Sequence, residues 1–239
     1  MLFCDHAGRH IPSEYRDLGL PSRALDRHIA WDIGAGDLTR ELARLLDAPA
    51  LLATYSRLFI DANRPPGTPF SIVRESDGVE IPGNATIMPE EAERRARLAF
   101  WPYHREASAL LSARESEKGV HAVIMVHTFT PAMKGIARPW HVGILYDRDR
   151  RMADPLLVAL CAEPDLVIGD NQPYAGSSPL GYGLDAYGQG PGRPHVMVEV
   201  RQDLVETAAG AARWAERLAP VLAGVLADRQ LYALAPTRA

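Results

Sequence analysis

Cysteine is scarce in this chain of 239 residues. Only Cys4 and Cys161 occur, each in or beside an apolar stretch and without CxxC spacing, which argues against a disulfide framework and a thiolate zinc site. Both read as buried thiols. Long apolar runs are missing too. No stretch reaches the roughly 18 residues that a bilayer-spanning helix needs, and no basic region with an apolar run and cleavage site opens the chain. A soluble, cytoplasmic protein is expected. Positive charge is not in surplus: the net charge is −4 and basic residues are scattered among acidic ones, so neither nucleic acid nor a membrane is an expected partner. Linkers of Gly and Ser, low-complexity segments and internal repeats are absent, which leaves one domain over residues 1–239.

What is present is an alternation of short apolar runs with amphipathic stretches, and 47% hydrophobic residues to fill a core. This pattern predicts a single α/β domain with a mostly parallel or mixed central sheet and helices on both faces. The central run is 120–126, a β-branched and apolar strand that reads as buried on both faces and stops on His127. An open α/β sheet binds ligands beyond the carboxyl ends of its strands, where a histidine can ligate a metal or carry a proton. The first strand, 2–5, repeats the arrangement by running into His6, with Ala7 and Gly8 behind it. So abrupt a start is consistent with a true N-terminus further upstream. Two such ends on neighbouring strands can bring two imidazoles to one metal ion. His10 is a weaker candidate, because Ile11 and Pro12 after it read as turn chemistry.

Residues 22–46 read as one helix, kinked or restarted near Gly34 and Gly36, with Asp32 as either a surface carboxylate or a group that ligates a metal or orients a histidine. After a second strand at 50–54, Asn63 and Arg64 stand at the mouth of a proline-stiffened loop. An arginine fork matches a carboxylate, so the pair suits an acidic substrate; alternatively the arginine ties the loop down through Asp61. The long loop 65–89 reads as a rim over a site. A helix follows at 89–112, kinked near Pro102, in which His104 reads as surface or packing. Lys134 and Arg138 lie in a loop, strands are expected at 141–147 and 166–168 around a short helix at 155–161, and Tyr174 leaves the second of these strands at the site end. Residues 175–194 are rich in glycine and carry Tyr182 and Tyr187; they read as either a mobile lid or a passive crossover. The strand 194–204 holds a glutamate where packing wants an apolar residue. A buried carboxylate must be paired, ligated or protonated, which makes Glu199 the best general-base candidate. Arg201 shares its side of the strand and is either its partner or a substrate contact. A closing helix carries an apolar stripe through Ala208, Ala212, Ala215, Leu218, Leu222 and Leu226.

The ordered motifs DHAGRHIP (5–12), RHIAWDIGA (27–35), YSRLFIDANRP (55–65), VHTFTP (126–131), DNQPY (170–174) and VEVRQDL (198–204) resemble the N-formylglutamate amidohydrolase family. That family is similar in turn to zinc carboxypeptidases and aspartoacylases. The resemblance implies a zinc-carboxypeptidase-like fold, zinc or another divalent metal on His6 and His127, a substrate carboxylate held by Asn63 and Arg64, and Glu199 as general base. Carboxypeptidases take a ligating glutamate three residues after the first histidine, where this chain has Arg9; the family motif places an acid at Asp32, which the resemblance makes the third ligand. Arg57 or Arg138 is then available for a second carboxylate. The expected activity is hydrolysis of an N-formyl or other N-acyl acidic amino acid, a small anionic molecule. The rival is a carboxylate-binding module without catalysis, which needs no stoichiometric metal.

Overall fold

The computed structural model describes residues 1–174 and 181–235. Six strands form the central sheet: β1 (Leu2–Cys4), β2 (Ala50–Leu52), β3 (Val123–Phe129), β4 (Val142–Leu145), β5 (Ile168–Asp170) and β6 (His195–Arg201). Their spatial order is β2-β1-β3-β6-β4-β5. The first four in that order are mutually parallel, β4 is antiparallel to β6, and β5 runs parallel to β4. The sheet is therefore mixed, one of the two expected forms. The strand predicted at 166–168 forms two residues later, because Gly169 and Asp170 take the pairing with Gly143 and Ile144.

Alternation along β3 and β6 sorts the core into two layers. Ile124, Val126, Val196, Val198 and Val200 face one layer, which they share with helices α1 (Ala35–Leu45), α3 (Ala153–Cys161) and α4 (Ala208–Leu226). Helix α2 spans 89–118 between α1 and α3 in the chain and covers the other layer, where its Ala107 and Leu111 meet Val123, Met125, Met197 and Leu145. Each fully buried valine or leucine contributes about 1.5–3 kcal/mol by leaving water. His127 and Glu199 continue the second layer at the carboxyl ends of β3 and β6, where apolar contact gives way to chemistry.

The helix expected over 22–46 is two helices. A short one at Ser22–Leu25 is followed by turns, and α1 begins only after Gly34. Gly34 has φ +79°, and a Cβ there would lie 2.2 Å from the Val205 carbonyl oxygen. The glycine thus breaks the helix and frees the backbone of Asp32 to enter the site. In α2 the expected kink is a wide π-type turn at Ala96–Phe100, just before Pro102, whose ring has no N–H to give the preceding turn. The helix then runs to Lys118, beyond the predicted end, and stops at Gly119 with φ +80°. In α4 the buried stripe is Ala211, Ala215, Leu218, Leu222 and Val225, so the predicted flanking members Ala208, Ala212 and Leu226 lie beside it rather than in it.

Residues 65–89 do not rim the site pocket. They wrap a separate cluster around Leu58, Phe59, Ile81 and Phe100, pinned by the buried Arg95, which donates to Glu91, to the Asn84 side chain and to the Phe59 and Gly83 carbonyls. Cys4 is buried as expected, whereas Cys161 is exposed at the end of α3. Among the described residues no helix is long and apolar enough to cross a membrane.

Candidate active site

The carboxyl ends of β1, β3 and β6 set the site. His6 lies in the turn that follows β1, His127 is within β3, and Glu199 on β6 is the register partner of His127. The break ahead of α1 delivers Asp32, whose N–H donates to the His6 carbonyl at 2.9 Å. The Asp32 Oδ2 atom then lies 3.3 Å from His6 Nδ1 and 2.9 Å from His127 Nδ1. The two imidazoles meet edge to face, with centroids 4.9 Å apart.

Both rings turn Nδ1 toward the same carboxylate oxygen, and each has a second carboxylate near Nε2. Asp61 Oδ1 is 2.6 Å from His6 Nε2, and Asp5 Oδ2 is 3.8 Å from His127 Nε2. Asp61 is fixed by the Asn63 N–H and by Arg57, Asp5 by the Tyr103 hydroxyl at 2.7 Å. One donor atom each from His6, Asp32 and His127 falls within 4.8 Å of the others, so the three can hold a metal ion. The donor chemistry fits: two imidazoles and a carboxylate suit zinc and several other divalent ions, and carboxylates behind the distal nitrogens are the usual way to fix such rings. Asp5 Oδ2, His127 Nε2 and Glu199 Oε2 are buried with no hydrogen-bond partner, three unsatisfied polar atoms in one cluster.

Electrostatics follow from this crowding. Burial and Arg57 oppose charging of His6, but Asp61 and Asp32 prevail and raise it to about 9. Burial opposes the Asp32 anion, yet His6, His127 and Arg57 hold it well below the usual carboxylate range. Glu199 moves the other way: burial pushes it up to about 7, where a carboxylate is a competent proton acceptor near neutral pH.

A cavity of about 270 Å³ opens on this cluster and is lined by His6, Asp32, Arg57, Asn63, Arg64, His127, Tyr174 and Glu199 among others. These eight residues, all named from the sequence, therefore share one cavity. Arg138 and Arg201 do not line the cavity. Arg138 donates to Thr130 and to the Tyr174 hydroxyl, and Arg201 turns back to Asp203 at the strand end. Lys134 sits exposed on a hairpin turn, His10 lies exposed against Tyr55, and His121 is half-buried beside the Gly119 carbonyl. His104 is buried, bonded to the Ala62 carbonyl and to the Tyr187 hydroxyl. That bond draws Tyr187 into the core rather than toward a ligand, and Tyr182 packs on Phe100 and His104. Of the proposed lid, residues 175–180 lie outside the described residues. Asp61 is paired with Arg57 and His6, not simply with the loop arginine. The contact of Asp61 with His6, the place of Asp5 and the apolar wall of Leu145, Leu184 and Met197 were not anticipated; the sequence signal for Asp61 and Asp5 is their position beside residues already singled out.

The mixed α/β sheet thus gathers two imidazoles, buried carboxylates and guanidinium groups at the carboxyl ends of its parallel strands, where open α/β sheets bind their ligands. The sequence model of N-formylglutamate amidohydrolase matches residues 1–206, and the chain belongs to that family. Among solved structures, gene product Atu2144 from Agrobacterium tumefaciens is 32% identical with a TM-score of 0.90, over 95% of this chain and 89% of that one. N-formylglutamate amidohydrolase from Ralstonia eutropha JMP134 shares the fold at 20% identity and a TM-score of 0.67, over 94% of this chain and 92% of that one. No curated protein matches the chain.

Proposed function

We propose that this amidohydrolase cleaves the amide bond of an N-formyl or other N-acyl amino acid, with a divalent cation, zinc in the first instance, held by His6, Asp32 and His127. The chemistry such a cation supplies is Lewis acidity toward the amide carbonyl and toward water. Glu199 accepts a proton from the attacking water, the water oxygen bonds to the acyl carbon, and the C–N bond breaks. Glu199 returns the proton to the leaving nitrogen, so that carboxylic acid and amine account for every atom. Asn63 and Arg64 hold the α-carboxylate. The Oδ1 atom of Asn63 accepts from the Gly183 N–H at 2.9 Å, leaving its amide nitrogen as the end that donates to a ligand. Tyr174 borders the same cavity.

The observation that supports this reading most is the register pairing of Glu199 with His127, which sets a base of raised pKa beside the candidate ligand cluster. N-formylglutamate, the substrate in the family's name, is the first compound to assay. Glu199→Gln is expected to lower formate release at least a thousandfold while leaving the bound cation in place by elemental analysis. Unchanged turnover removes Glu199 from the mechanism.

A further inference from the structure

The cavity has two chemically different ends. Arg64 and Asn63 form the polar end. Deeper along the same sheet face the wall is hydrocarbon: Met197 lies two residues before Glu199 on β6, Leu145 is its register partner on β4, and Leu184 from the Leu184–Gln189 helical turn joins them. All three are at least 94% buried.

A glutamate substrate brings a second carboxylate, which needs a second cation or an equivalent set of donors when it leaves water. Neither further guanidinium considered for that task is placed for it. Arg57 directs one nitrogen to Asp32 Oδ1 at 3.1 Å and the other to Asp61 Oδ2 at 3.0 Å. Arg138 lies outside the wall and holds the Tyr174 hydroxyl at 3.0 Å. Residues 175–180 read AGSSPL and contain no basic side chain. Among the described residues of the lining, the arginines are Arg57 and Arg64, in a wall that already holds the acids Asp32 and Glu199.

We infer that the substrate carries a single carboxylate and an apolar group that fills the floor of Met197, Leu145 and Leu184, as in an N-formyl derivative of leucine or methionine rather than of glutamate. This rests on the hydrolase reading above. The apolar group belongs to the amino-acid side chain or to the acyl chain, and the floor recognises either by the same chemistry.

The experiment compares N-formyl-L-leucine, N-formyl-L-glutamate and N-hexanoylglycine, as kcat/KM on cation-loaded wild-type protein and as Kd on Glu199→Gln. The leucine derivative is expected to show a kcat/KM at least tenfold higher, and a Kd at least tenfold lower, than the glutamate derivative. A preference for N-hexanoylglycine over both supports the apolar floor and assigns it to the acyl chain. Equal or better use of N-formylglutamate overturns the inference and leaves the hydrolase reading intact. Tighter binding of the leucine derivative with no turnover of any compound supports the floor and overturns the hydrolase reading; no turnover and no difference in Kd overturns both. Met197→Gln, close in volume, is expected to reduce the leucine preference severalfold. Should that variant fail to fold, the wild-type comparison decides.

Discussion

Asp61 shows how one residue ties the parts of the site together. Its carboxylate contacts His6 Nε2, accepts from the Asn63 N–H and pairs with Arg57, so it links the ring that faces Asp32 to the loop that carries Asn63 and Arg64. Fixing a ligating ring through its distal nitrogen is worth about 10–100-fold in metal affinity. Asp61→Asn is therefore expected to weaken cation binding by about that factor in competition against a chromogenic chelator; undiminished affinity removes Asp61 from the support of His6. The residues legible in the sequence were those whose position is odd on their own element: His6 and His127 ending apolar runs, Glu199 interrupting one. Asp61 and Asp5 are odd only once the fold sets them behind an imidazole. Arg201 misled for the opposite reason. Strand alternation assigns it to the side of Glu199, but at the last residue of β6 its long side chain is free to turn back to Asp203.

At the scale of elements, the break before α1 does for the site what no strand does. Asp32 reaches both imidazoles because the chain leaves helical geometry between Leu25 and Ala35, and Gly34 enforces that departure by its positive φ and its close approach to Val205. An alanine there meets a backbone carbonyl and a left-handed conformation together, a cost of about 2 kcal/mol or more. Gly34→Ala is expected to lower Tm by several degrees and to weaken cation binding with it, since the displaced segment carries Asp32. A fall in Tm with cation affinity unchanged would mean that α1 shifts without the loop. The apolar periodicity of 22–46 suggested one helix because Leu25, Ile29, Ile33 and Leu38 keep helical spacing across the break. Ile29 is buried against Leu58 and Phe59 in the satellite cluster, so the spacing reports burial there and not helix. The same limit explains α4. Its alanine-rich sequence offers several equivalent stripes, and the packing of α1 selects the one through Ala211 and Val225.

Across the whole molecule, parts distant in sequence are fastened by buried charge, and one such fastening gives a pH dependence remote from the site. Arg151 pairs with the Asp149 carboxylate, whose side chain is 6% exposed, and donates to the carbonyls of Leu231, Ala233 and Gly192, joining the start of α3 to the segment after α4 and to the approach to β6. Burial opposes the Asp149 charge, but the Arg151 hydrogen bonds prevail and hold its pKa below the usual carboxylate value. The buried His195 ring lies 3.7 Å from the same carboxylate, and burial lowers its pKa. A carboxyl group whose pKa is depressed by folding binds protons more readily in the unfolded chain. Its stabilisation is therefore full above the unfolded value near pH 4 and is lost as pH falls toward the lower folded value. Asp149→Asn should cost roughly 2 kcal/mol at pH 7, the scale of a hydrogen bond to a charged group. The loss should shrink over the acid window below about pH 5, because the wild-type protein forfeits the same contribution as Asp149 takes up its proton. Chemical denaturation at a series of pH values checks this. A difference between the two proteins that stays constant across the window would show that Asp149 stabilises by packing alone and that Arg151 holds the three carbonyls without its carboxylate.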